Sequence, residues 1–330
     1  MARIDRRFLF KSLMAAVVAA GAFSGPAAAA EAAYPSAPIK LVVPWSPGGA
    51  TDVLGRLIAK GLTERIGQTV VVENHAGAGG NIGTAAFVRA KPDGYTLLVA
   101  TSSTNAANPH LYKQLGFDPA KDFAPVSFVA KIPNVLEVPK ASPYKTYAEL
   151  MDDAKANPGK LNYGSAGVGS SQHLAASLLK HLTGADIVHV PYKGSGPAAA
   201  ALMGGQLDFM IDTGSVNQVK AGSLRALAVA SENRTAALPD VPTFAELGLP
   251  DMIAFAWYGI VAPAGTPKTV VSFLNKEINA VVQSPEIKQH LENMGAQVPA
   301  PQDAKAFGGF MDSELERYGD LIKMSGAKME

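Results

Sequence analysis

The period of the apolar positions changes along the chain at a few well-marked points. The first is "KLVVPWSPGGATDVLGRLIAKGL", beginning at Lys40. An apolar run, Leu41-Val42-Val43, stops at Pro44 and passes through Trp45-Ser46-Pro47-Gly48-Gly49. Helical spacing follows, with Val53, Leu54, Leu57, Ile58 and Leu62 on one face. The pattern predicts strands at 39–43, 69–74 and 95–100, with helices starting near 50 and covering about 80–89. A second set begins near Val135. Strands are expected at 161–167, 187–192, 207–212 and 224–230, with helices over about 170–182 and 196–203.

Short apolar strands alternating with amphipathic helices give an α/β fold in which mainly parallel sheets are flanked by helices. The two sets read as two α/β units. The tail from "AFAWYGIVAPAGTP" onward supplies one strand and then helices, too little sheet for a third unit, so it is expected to return to the first. The result is a two-lobed molecule. Lobe 1 comprises 31–132 and 255–330 and lobe 2 comprises 133–254, with crossing strands near 128–134 and 253–258. In such sheets ligands sit outside the carboxyl ends of the strands, here in the crevice between lobes.

The N-terminus changes where this fold is expected to work. Arg3, Arg6, Arg7 and Lys11 precede an apolar stretch from Ser12 to Phe23, and Ala27-Ala28-Ala29-Ala30 offers a small-residue cleavage site before Glu31. Residues 1–30 therefore read as a signal peptide cleaved near Ala30, and the mature protein as periplasmic. Arg6-Arg7-Phe8-Leu9-Phe10-Lys11 resembles a twin-arginine signal with Asp5 at the Ser or Thr position, so twin-arginine and ordinary secretion both remain open. The apolar stretch is too short for a permanent span.

Cysteine is absent, which excludes disulfides, a lipid-anchored cysteine, thiolate metal sites and a cysteine nucleophile. The formal charge is +1; without the four basic residues of the signal and Asp5, 25 basic and 27 acidic side chains remain. This balance invites neither nucleic acid nor an anionic membrane.

Candidate chemistry is sparse. "GAGGNIG", starting at Gly77, follows a strand and opens a helix. Its spacing departs from the dinucleotide fingerprint, and no acidic residue ends a next strand at the expected place; a close-packed turn at the crevice is the expected role. Neither Tyr163-Gly164-Ser165-Ala166-Gly167 nor Lys193-Gly194-Ser195-Gly196-Pro197 makes a nucleophile elbow. The six histidines form no metal motif. His189 reads as structural, and His173 as a packing or capping residue close to the crevice. What recurs is a loop type: 45–49, 101–105, 165–171 and 194–197 all follow apolar strands and are built of small, polar or proline residues. A helix N-terminus with glycines against it invites an anion.

"YPSAPIKLVVPWSPGGATDVLGRLIAKGL", "GQTVVVENHAGAGGNIGTAAFVRAKPDGYTLL", "ANPGKLNYGSAGVGSSQHLAA", "VHVPYKGSGPAAAALMGGQLDFMID" and "LRALAVASENRTAALPDVPTFAELGLP" resemble the Bug (TctC-like) family, across nearly the whole mature chain. These are periplasmic solute-binding proteins of tripartite tricarboxylate transporters. The resemblance implies a type II periplasmic binding fold that captures a di-, tri- or aromatic carboxylate and delivers it to a membrane permease. It further implies a monomer with no cofactor, no metal and no turnover.

Carried over residue by residue, the resemblance puts Trp45, Ser46, Pro47, Gly48, Gly49, Ala50, Thr51 and Asp52 on one side of the ligand. Ser165, Ala166, Gly167, Val168, Gly169, Ser170 and Ser171 face them, with His173 beyond. Thr101, Ser102, Tyr192, Lys193, Gly194, Asp212 and Thr213 border the same crevice. Trp45 stands where the family commonly has Phe, Gly164 replaces a common small residue, and the segment after Asp212 is about two residues short. Asp52, a negative charge in the first turn of an anion-binding helix, is expected to hold loop amides or a ligand ammonium or hydroxyl. Two other readings remain: a ligand-presenting subunit for a membrane sensor kinase, and an exported enzyme acting on a carboxylate.

Overall fold

The structure, a computed structural model, describes residues 34–325, so the expected signal peptide lies outside the described residues. The chain divides into Met1–Ser36, of which 34–36 are described, and Ala37–Glu330, which holds every element below. In chain order the strands are β1 (Ile39–Val43), β2 (Val70–Asn74), β3 (Thr96–Thr101), β4 (Phe123–Pro133), β5 (Val135–Pro139), β6 (Asn162–Ser165), β7 (Val188–Pro191), β8 (Phe209–Asp212), β9 (Leu224–Val229) and β10 (Phe255–Pro263). They form two sheets of five, ordered β2-β1-β3-β10-β4 and β7-β6-β8-β5-β9. The buried strands read as unbroken apolar runs because both faces are covered: Leu41 and Val43 in β1 and Leu97 to Ala100 in β3 are all within 1% of full burial.

Each sheet has one strand set against the others. β1 pairs parallel with β2 and β3, whereas β10 is antiparallel to both β3 and β4. β6 likewise pairs parallel with β7 and β8, and β5 is antiparallel to β8 and β9. The sheets are therefore mixed, because β5 and β10 enter from the opposite sheet and run against the strands already there. The chain passes between the sheets twice, from β4 to β5 and from β9 to β10, and Asn134, Ala230 and Ala254 lie side by side there. Asn134 N–H donates to the Ala254 carbonyl at 2.9 Å, Ala230 N–H to the Asn134 carbonyl at 2.8 Å, and Ala254 N–H to the Ala230 carbonyl at 3.0 Å.

Helices cover both sheets. α1 (Ala50–Ile66) buries Leu54, Ile58 and Leu62 along with Gly55 and Ala59, while Val53, expected on that face, is 37% exposed. The small residues account for the shift: a Cβ on Gly55 would come within 2.9 Å of Val43 Cγ2, so α1 packs on its glycine side. A 3-10 turn, Ala78–Gly80, precedes α2 (Asn81–Phe87). A π-helical turn, Ser103–Ala107, runs into α3 (Asn108–Leu111) where sequence predicts a loop. The remainder are α4 (Tyr147–Ala156), α5 (Ser171–Thr183), α6 (Ser195–Met203), α7 (Val216–Lys220), α8 (Lys268–Gln283), α9 (Pro285–Asn293) and α10 (Ala304–Ser325). One core gathers around Phe128, Trp257 and Phe307, another around Tyr163, Phe209 and Phe244.

Candidate functional site

The carboxyl ends of β1, β3, β6, β7 and β8 feed the loops that sequence singled out, and these loops meet. They border one cleft, lined by Trp45, Ser46, Gly49, Ala50, Thr51, Thr101, Ser102, Ser103, Ala166, Ser171, Gln172, Ser195, Thr213, Ala256 and Tyr258. No lining side chain carries a formal charge. Three helices start at this cleft: α1 at Ala50, α5 at Ser171 and α6 at Ser195. The first-turn amides of a helix have no acceptor inside it, so three partial positive charges converge on one neutral space.

The acidic residues of the site hold protein donors. Asp52 accepts from Gly48 N–H at 3.0 Å, Arg56 Nε at 3.1 Å and Asn74 Nδ2 at 2.9 Å. Burial alone would raise its pKa, but the hydrogen bonds from Arg56, Gly48 and Asn74 outweigh burial and hold it below the ordinary range. Gly48, with φ at +89°, thus spends its amide on Asp52 and does not line the cleft.

Asp212, 1% exposed, accepts from Gln172 Nε2 at 2.6 Å, Ser195 Oγ at 2.8 Å, Gly214 N–H at 3.0 Å and Ser215 Oγ at 2.7 Å. It therefore orients two cleft residues, Gln172 and Ser195, from behind. The short segment after Asp212 folds back onto its carboxylate, with α7 following at Val216.

The predicted residues divide accordingly. Trp45, Ser46, Gly49, Thr51, Thr101, Ser102, Ala166, Ser171 and Thr213 line the cleft; Gly48, Asp52, Ser165, Gly169, Ser170, His173, Tyr192, Lys193 and Asp212 stand behind it or at its edge. Ser170 Oγ caps α5 by accepting from His173 N–H at 3.3 Å. The His173 ring stacks on His189 at 4.5 Å between centroids, and its Nδ1 accepts from Gly169 N–H at 3.4 Å. Ser165 Oγ lies 2.6 Å from His189 Nε2, a nucleophile-and-base distance, yet Ser165 is fully buried and outside the cleft. Burial, with Lys180 nearby, lowers the His189 pKa to about 4. Tyr192 N–H donates to the Ser165 carbonyl, and the Lys193 carbonyl accepts from Ser46 Oγ at 2.8 Å, joining the first loop to the opposite sheet.

Sequence reasoning did not single out Gln172, Ala256 or Tyr258, and it placed Ser103 and Ser195 in crevice loops without naming them as contacts. Alternation along β10 puts Ala256 and Tyr258 on the face opposite Phe255 and Trp257. Tyr258 Oη lies 3.1 Å from Thr213 Oγ1. "GAGGNIG" serves close packing. A Cβ on Gly83 would lie 2.5 Å from the His75 carbonyl oxygen and 3.0 Å from Pro44 Cα. Among the described residues no group of three His, Asp or Glu is placed to hold a metal ion.

Glu137 of β5 is fully buried behind the site. Burial foremost, and the Asp212 charge next, push its pKa well above the ordinary range against a smaller pull from Ser215. In the unfolded chain this proton leaves near pH 4.5, whereas the folded protein keeps it to higher pH. Folding stability attached to Glu137 is therefore complete at low pH and falls as pH rises above that value, by up to about 1.4 kcal/mol per unit. Glu137→Gln should flatten the decline in melting temperature above pH 5, measured by calorimetric melts of both proteins across pH 5 to 8. Parallel curves would show that Glu137 does not hold its proton.

Residues 54–327 match the model of the tripartite tricarboxylate transporter family receptor, TctC. Protein BugT of Bordetella pertussis is 38% identical over 300 residues, covering 90% of this chain and 92% of BugT. An R. palustris protein solved with adipate superposes with a TM-score of 0.86 at 36% identity, covering 90% of this chain and all of its own. MatC from Rhodopseudomonas palustris, solved with bound malate, gives 0.83 at 34% identity, with 88% and 100% covered. With the two mixed sheets and the cleft between their loops, these matches place the fold among two-lobed periplasmic binding proteins, and the chain belongs to the TctC receptor family of the tripartite tricarboxylate transporters.

Proposed function

We propose that this protein captures a small organic acid between two lobes in the periplasm and delivers it to a membrane permease of the tripartite tricarboxylate type. The observation that carries the reading is the convergence of the α1, α5 and α6 N-termini on a cleft whose side chains are all neutral. A carboxylate is the ligand such a space favours, because the helix termini supply partial positive charge with no buried cation to desolvate. The adipate and malate in the two related structures agree with that chemistry. Lobe 1 is assigned to 31–132 and 255–330 and lobe 2 to 133–254, so that closing the lobes brings both sets of amides onto one ligand. The N-terminal export signal read from sequence supplies the route to the periplasm.

Calorimetric titration with adipate, malate, succinate and phthalate tests the reading. At least one acid should bind, and its methyl ester should bind more weakly by at least about 2 kcal/mol, some thirtyfold. Esterification removes a charge-assisted hydrogen bond and the attraction of the helix terminus. Mass spectrometry should recover the acid chemically unchanged. Equal affinity for acid and ester, or conversion of the acid, would sink the proposal.

A further inference from the structure

We propose that a second pocket, on the far side of the hinge from the cleft, sets how tightly the protein holds its ligand: its walls must approach for the cleft to open, so whatever fills it holds the lobes closed. One wall carries Lys131, Phe255 and Gln297 and the other Ser231, Asn233 and Ile253, and the pocket shares no residue with the cleft. The walls belong to different lobes. That an acid occupies the cleft is the reading above, whereas the hinge itself requires only that the lobes move.

Strand order places the hinge between the two spaces. In the first sheet β10 lies between β3, whose end feeds the cleft, and β4, whose end feeds the pocket. Neighbours along β10 turn to opposite faces. Ala256 and Tyr258 line the cleft, while Phe255, in register with Pro133, lines the pocket together with it. Just beyond them Asn134, Ala230 and Ala254 hold one another through main-chain hydrogen bonds of 2.9, 2.8 and 3.0 Å. These three residues are the pivot, because the chain passes from one sheet to the other there.

Each wall is braced within its own lobe and can move as a body. Lys131 and Gln297 exchange main-chain hydrogen bonds at 3.1 and 2.8 Å, and the Lys131 ammonium stands 5.0 Å from the centre of the Phe255 ring. On the other wall Ser231 Oγ donates to the Asn233 carbonyl at 2.6 Å. The lobes touch across the cleft, where Ser46 Oγ donates to the Lys193 carbonyl at 2.8 Å and Tyr112 Oη to the Val168 carbonyl at 3.1 Å. The cleft is thus closed while the pocket stands open behind it. Rotation about the pivot that parts those contacts drives the two walls together. A side chain wedged between them opposes that rotation as overpacking does.

Asn233→Trp and Gln297→Trp drive a wedge from opposite walls, at exposed positions outside the cleft. Calorimetric titration with the tightest binder among adipate, malate, succinate and phthalate should find each variant binding at least about threefold more tightly than wild type, because a larger share of the free protein is already closed. Solution scattering should find the ligand-free radius of gyration of each variant shifted toward the value that saturating acid gives the wild type. Unchanged or weaker binding in both variants, tighter binding without contraction, or a wild-type radius that the acid leaves unchanged would each overturn the hinge's role while leaving the carboxylate reading intact. Binding of none of the four acids would remove that reading alone, and scattering would still decide the hinge: ligand-free variants smaller than wild type support it, and equal radii overturn it. Should one wedge fail to fold, the other decides.

Discussion

Gly196→Ala should weaken ligand binding by between about fivefold and a hundredfold, while the melting temperature of the ligand-free protein stays close to wild type. A Cβ at position 196 would stand 2.5 Å from the Pro47 carbonyl oxygen and 3.2 Å from the Gly48 carbonyl carbon. Both are main-chain atoms with no rotamer to yield. Overpacking of this kind costs about 1 to 3 kcal/mol, which as lost affinity spans that range. Gly196 lies in the first turn of α6 on the second sheet, and Pro47-Gly48 belongs to the loop after β1 of the first, so the clash is relieved when the sheets part. The cost should therefore fall on the closed, ligand-bound form.

Gly83→Ala is the contrasting control. Its clashes, with the His75 carbonyl oxygen and Pro44 Cα, lie within the first-sheet layer and cannot be relieved by opening. It should lower the melting temperature whether or not ligand is present. Titration and melting of both variants decide the matter. Unchanged affinity in Gly196→Ala would mean that these two loops are not drawn together on binding.

Asp212→Asn should destabilise the protein by at least about 3 kcal/mol, lowering the melting temperature by roughly 6 °C or more, and should also weaken ligand binding. Four donors converge on the two carboxylate oxygens of Asp212, from Gln172, Ser195, Gly214 and Ser215. Asparagine retains one of those oxygens and puts an NH₂ group where the other stood. Whichever oxygen is kept, one N–H donor, that of Gln172 or that of Gly214, is left facing the NH₂ group without an acceptor in a site 1% exposed. Because Gln172 and Ser195 line the cleft, their displacement should be read in affinity too. The distinguishing measurement is a titration at a temperature where the variant is fully folded. Wild-type affinity there would confine Asp212 to stability and remove its part in setting the cleft.

The features legible in the sequence were those written in short stretches. The step from β1 through Pro44 to α1 is local, and so is the logic that put Asp52 onto a loop amide. Length and alternation sufficed for the two α/β units, since a run such as Leu97 to Ala100 has few alternatives to a buried strand. Features depending on distant partners were not legible. The antiparallel placement of β10 is set by strands more than a hundred residues earlier, with which it shares no sequence pattern. Nothing local says which face of β10 meets the cleft, so Tyr258 went unseen. Gln172 is not legible either, because a polar residue in a first helical turn is ordinary capping chemistry until Asp212 stands opposite it. Glu137 sits inside an apolar strand, "VLEVP", where its meaning depends on the complete burial that the fold imposes and, next, on the Asp212 carboxylate nearby.

The topology also orders the events by which the molecule can assemble. All strands of the second sheet lie between Val135 and Val229, so that sheet needs nothing from the rest of the chain to complete its ladder. The first sheet lacks its fourth member, β10, until Phe255 to Pro263 is available, and until then β3 and β4 keep main-chain donors and acceptors facing an empty lane. Filling that lane closes a loop of over 150 residues, the kind of long-range pairing that folds slowly. A chain built this way spends its vulnerable interval with two sticky edges on one half and a finished sheet on the other. The last strand to arrive is the one that carries Tyr258 and Ala256 to the floor of the cleft, so completing the fold and completing the site are a single step.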